Sequence, residues 1–95
     1  VKSVIYKYPI EENYPVGVYL PTGAKVINCE IQHMTICVWV IQNPDALIDT
    51  YDGKPDVFIL GTGWEIDNNI LYGYNYLKTF HVDSFVWHVF VRKGC

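Results

Sequence analysis

Apolar residues in this sequence come in runs of five to nine, rich in Val, Ile, Tyr, Phe and Trp, and each run is cut short by Gly, Pro, Asn or Asp. None sustains the i, i+3, i+4 repeat of an amphipathic helix, and none approaches the roughly 18 unbroken residues of a membrane-spanning helix. Such a chain buries its apolar side chains only by pairing strands. The expected strands cover residues 4–10, 16–20, 24–32, 35–42, 56–60, 74–81 and 85–93. The predicted fold is therefore all-β and mostly antiparallel: a compact single-domain sandwich or barrel over residues 1–95, with at most one or two helical turns. The helical turns belong after Asp67, which can cap residues 68–71 before Gly73 ends them. Residues 43–55, with Pro44 and the Asp52-Gly53 pair, read as an exposed loop.

Two hairpins can be placed with a register. A three-residue loop of Gln32, His33 and Met34 sets Ile31 opposite Thr35, Cys29 opposite Cys37 and Ile27 opposite Trp39, so that Ile27, Cys29, Ile31, Cys37, Trp39 and Ile41 share the inner face. A two-residue turn at Asp83-Ser84 pairs Val82 with Phe85, Phe80 with Trp87 and Thr79 with His88. Trp39, Trp87, Ile27, Ile31, Val89 and Phe85 are the residues expected to be buried. Thr79, His81, Val86 and His88 then share the other face of the last hairpin, where hydrogen bonding of His88 is a more ordinary outcome than a metal site.

Seven basic residues against ten acidic ones leave a net charge of −3, and the single arginine is Arg92, which argues against duplex nucleic acid. The acidic residues are scattered and form no block. Three cysteines without a CxxC spacing give neither a zinc site nor a complete disulfide framework, and suit a reduced, cytoplasmic protein. No basic stretch leading into an apolar core opens the sequence, so no secretory signal is read there. No catalytic motif is present, and the expectation is a protein that is not an enzyme and needs no cofactor.

What stands out is the aromatic content: eight Tyr, four Phe and three Trp exceed what one small core will cover. A homo-oligomer or a ligand wall would use the excess. Tyr6 and Tyr8 share a strand face, and Tyr74 and Tyr76 share one with Lys78. Were the first and sixth strands neighbours, these would form an aromatic wall fringed by lysines. Gly61-Thr62-Gly63-Trp64 follows a strand directly, as a tight turn or as a nest of amides for an anion. The candidate ligand-binding set is Gly61, Thr62, Gly63, Trp64, Lys7, Lys78, Tyr6, Tyr76 and Arg92: amides and cations for a phosphate, rings for a base.

Tyr6-Lys7-Tyr8-Pro9, Leu20-Pro21-Thr22-Gly23-Ala24-Lys25, Gln32 followed by Trp39, Phe58 with Gly61-Thr62-Gly63, Tyr76-Leu77-Lys78-Thr79-Phe80 and Val86-Trp87-His88-Val89-Phe90 together resemble a family of small, uncharacterised phage and bacterial proteins. The chain departs from the pattern at Lys78, at Trp64 and in Arg92-Lys93. The resemblance implies a phage-type accessory protein of the bacterial host's cytoplasm that acts by binding. It would sequester a small nucleotide signal of a defence system, inhibit a host protein, or serve as a structural virion component.

Overall fold

The computed structural model describes residues 1–10, 17–48 and 52–95. The expected features at Tyr14, Val16 and Tyr51 lie outside the described residues. Seven strands and one helical turn follow in the order β1 (Val4–Pro9), β2 (Gly17–Val18), β3 (Lys25–Gln32), β4 (Thr35–Gln42), β5 (Val57–Gly61), α1 (Asn68–Leu71), β6 (Tyr74–Val82) and β7 (Phe85–Arg92). They form two antiparallel sheets, ordered β1-β4-β3 and β2-β5-β7-β6, packed as an open sandwich and not a closed barrel. The core between them takes Val26, Cys29, Ile36, Val38 and Val40 from one sheet and Val57, Ile59, Phe80, Val89 and Val91 from the other. Asp67 caps α1 as expected, its Oδ1 accepting the Asn69 amide at 2.8 Å.

The last hairpin has the predicted register at its tip, with Val82 facing Phe85, Phe80 facing Trp87 and Thr79 facing His88. Trp87 and Val89 pack in the core, but Phe85 is 61% exposed, because it sits beyond the last layer of the opposing sheet. Leu77 is a bulge: Lys78 pairs with Val89 whereas Tyr76 pairs with Phe90. One extra residue reverses the alternation, so Tyr74 and Tyr76 lie on the outer face and Lys78 on the inner one, not together.

The first hairpin corrects the expectation by one residue. Its loop is His33-Met34 alone, Gln32 faces Thr35, Ile31 faces Ile36, and Cys29 faces Val38. Cys37 lies opposite Glu30, so Cys29 and Cys37 occupy opposite faces, and all three cysteines are free thiols. β4 is apolar on both faces, which makes its alternation uninformative. Packing chooses: Ile36, Val38 and Val40 fit the narrow space between the sheets, while Trp39 and Ile41 are only half-buried on the outer face. Ile27 is a bulge residue between Val26 and Asn28, 52% exposed and not in the core.

Two polar devices hold the sandwich. At one edge Lys78 spans from β6 to β3, bonding Glu30 Oε1 at 2.6 Å and the Cys29 carbonyl at 3.3 Å, which covers an otherwise open strand edge. Elsewhere the buried Asp56 carboxylate accepts the Leu20 amide at 2.7 Å, and Arg92 bridges it to Asp52 at 3.5 and 2.6 Å. The Lys54 amide and the Arg92 guanidinium, in that order, hold the Asp52 carboxyl below its ordinary range.

Candidate functional site

Gly61, Thr62, Gly63 and Trp64 form a tight turn at the end of β5. The Trp64 amide donates to the Gly61 carbonyl at 3.1 Å, the Thr62 amide to Val86 at 3.1 Å, and Gly63 takes a φ of +89° that favours glycine. Two of the amides expected to face an anion are therefore already satisfied within the protein. The indole of Trp64 lies against Gly61 and meets Trp87 edge-on, with centroids 5.3 Å apart. A Cβ on Gly61 would sit 2.9 Å from that indole, so the glycine is what lets the ring approach the strand.

From this turn a line of hydrogen bonds crosses the outer face of the second sheet. Thr62 Oγ1 is 2.7 Å from His88 Nε2, His88 Nδ1 is 2.9 Å from Thr79 Oγ1, and Thr79 Oγ1 is 2.6 Å from the Tyr76 hydroxyl. β6 and β7 place these side chains by the register anticipated for Thr79, His81, Val86 and His88. Both ring nitrogens of His88 are engaged by hydroxyl groups, so it positions Thr62 and Tyr76.

Beside this line lies an apolar groove of about 320 Å³. Its wall on the sheet is Phe58, Leu60 and Tyr74, and its other wall is the segment carrying Trp64, Ile66 and Ile70. Phe58 stacks on Phe90 at 5.4 Å and meets Tyr74 edge-on at 4.6 Å, so the floor is rigid. The Tyr74 hydroxyl donates to the Pro55 carbonyl at 2.6 Å, and burial raises its pKa. Lys54, Glu65 and Asp67 stand on the rim. Trp64 is 47% exposed and Ile70 44%, so the groove is open to a ligand.

The nine residues proposed from sequence do not converge. Gly61, Thr62, Gly63, Trp64 and Tyr76 share one region, and Arg92 lies on the same sheet but is committed to Asp52 and Asp56. Lys78 is at the sandwich edge with Glu30. Tyr6 and Lys7 belong to β1 in the other sheet, where Lys7 bonds Gln32, and β1 does not pair with β6. The aromatic wall expected from those two strands is therefore not assembled. Sequence reasoning missed Lys54, Phe58, Glu65, Ile70 and Tyr74. One signal was available: Ile66 and Ile70 are four residues apart around the Asp67 cap, a spacing that turns both to one side of a helical turn.

A family model described as a domain of unknown function, DUF7352, matches residues 1–94. The chain belongs to this family. No curated protein and no solved structure matches it. Among the described residues of this DUF7352 domain, no helix is long and apolar enough to cross a membrane.

Proposed function

We propose that this DUF7352 domain is a non-enzymatic binding protein that sequesters a small nucleotide-derived ligand, with the base in the groove beside Trp64. The single observation that carries this reading is the groove itself: about 320 Å³, rigidly floored by Phe58 and Tyr74, flanked by a half-exposed indole, and edged by both a cation and carboxylates. A volume of this order suits a flat ring enclosed on two sides. Glu65 offers an acceptor for the amino edge of a base. The Lys54 ammonium, which has no hydrogen-bond or ion-pair partner among the described residues, is the cation placed to meet a phosphate. Lys54 thus takes the role that the sequence suggested for Lys7, Lys78 and Arg92, whose charges are engaged elsewhere.

Sequestration and not turnover is favoured because His88, the one histidine beside the groove region, is occupied by Thr62 and Thr79 and no carboxylate orients it. The setting this reading implies is a phage-type accessory protein that removes a defence signal in the host cytoplasm. The test is incubation with cyclic dinucleotides and cyclic ADP-ribose isomers, followed by gel filtration and heating. Sequestration predicts co-elution and release of the unchanged ligand. Product in the released fraction would mean an enzyme, and no co-elution with any of them would overturn the nucleotide reading. Trp64→Ala should weaken binding about 5- to 150-fold, the range for losing one stacked ring.

A further inference from the structure

A second feature, independent of that groove, lies at the end of the sandwich where the two hairpin turns sit. Between the sheets there, a cavity of about 300 Å³ opens to solvent, lined by Ile10, Met34, Ile36, Ile59, Val82 and Trp87. Its floor is buried, but the turns beside it raise two large apolar side chains into water: Met34 is 62% exposed and Phe85, stacked on Trp87 at 5.8 Å, is 61% exposed.

Both turns are built against local preference. His33 and Met34 have φ of +52° and +67°, and Asp83 has +54°, all in the left-handed region that Gly and Asn favour. Methionine is a costly choice for the second position of such a turn, where glycine would relieve the backbone. Strain of this kind persists where the side chain has a use. Neither lining nor turn contains a lysine or arginine, while Asp83 is exposed at the rim. Pairing two copies through this end would set like charge against like, with no cation to offset it.

We infer that the open end of the sandwich docks a segment of a partner protein that inserts an apolar side chain into this cavity, flanked by Lys or Arg facing Asp83. Met34 and Phe85 form the jaws, and Ile36, Ile59 and Trp87 the floor. The chemistry is that of an apolar anchor in a preformed pocket, with charge selecting the flanks.

The test is an amide-shift NMR titration of the full chain with three capped heptapeptides: Gly-Lys-Arg-Leu-Arg-Lys-Gly, the same with Ser for Leu, and Gly-Glu-Asp-Leu-Asp-Glu-Gly. The basic Leu peptide should shift the amides of Met34, Thr35, Val82 and Phe85 at or below about 1 mM, and the other two should not. Met34→Gly should lower that affinity roughly tenfold or more while raising thermal stability, a pairing that a merely structural methionine would not produce. Phe85→Ser, checked for retained amide dispersion, should weaken binding similarly. Equal shifts from the acidic peptide, or none from any peptide, would overturn the proposal. So would a dimer in sedimentation that Met34→Gly dissociates, since the occupant would then be a second copy. Cyclic-dinucleotide binding at the groove is measured separately, so either reading can fail without the other.

Discussion

Arg92 touches two aspartates, and the structure says they are not equivalent. Asp56 is 7% exposed and its Oδ2 accepts the amide of Leu20, which is itself buried, whereas the Asp52 side chain is 45% exposed. Asp56→Ala leaves the Leu20 amide without a partner away from water, a cost of about 1–3 kcal/mol. It also removes the longer arm of the Arg92 bridge, at 3.5 Å, a loss moderated because Asp52 still holds the guanidinium at 2.6 Å. The total expected loss is about 2–4 kcal/mol. Asp52→Ala removes an exposed pair and should cost about 0–1 kcal/mol. For a domain of this size each kcal/mol moves the melting temperature by about 4–8 °C, so calorimetry should show a drop of about 8–30 °C for Asp56→Ala and at most about 8 °C for Asp52→Ala. Asp56→Asn, which keeps an oxygen for Leu20, should fall between them. Equal losses from the two alanine variants would refute the assignment of Asp56 as the buried tie between the loop at Leu20 and β7.

Gly61→Ala should push the Trp64 indole off the strand, seen as a red shift of tryptophan emission and weaker ligand binding; unchanged emission would mean that the ring does not rest on Gly61. Burial pushes the Cys29 thiol up to about 11 from an ordinary 9.0. The unfolded chain therefore releases this proton first, and stability should be fully retained below pH 9 and fall between pH 9 and 11, as chemical denaturation read across that range will show. Cys29→Val should flatten that part of the profile, leaving the smaller decline that Tyr74, also raised by burial, contributes near and above pH 10. In thiol labelling of the folded protein, partly exposed Cys95 should react before buried Cys29 and Cys37; simultaneous reaction would contradict the packing of β4. Deleting Leu77 removes the bulge and should turn Tyr74 and Tyr76 toward the inner face, with a loss of folding cooperativity visible in urea melts.

Local signals carried far along this chain. Short β-branched and aromatic runs admit no other element, so the all-β class and the strand positions were legible without coordinates. So were the Asp67 cap and the Asp83-Ser84 hairpin, because a cap and a two-residue turn are decided by neighbours in sequence. Faces were legible only where one side of a strand is polar. In β4 both sides are apolar, and the choice fell to the spacing between sheets, which admits Val and Ile and leaves Trp39 outside. The bulges at Ile27 and Leu77 carry no Gly or Pro, and each exists because the strand must stay in step with its partner over its whole length.

The candidate site depends most on tertiary structure. Sequence proximity put Lys78 beside Tyr76, and one bulge sent their side chains to opposite faces, leaving Lys78 to close the sandwich edge. Lys54 and Glu65 are remote from each other along the chain and carry no motif, yet they meet at one groove because two loops flank the same sheet. Which residues alternate in and out is a property of a strand, and the sequence by itself determines it. Which cation remains free and which aromatic rings converge depends on how strands order into sheets and sheets pack, contacts between distant residues that no local pattern encodes.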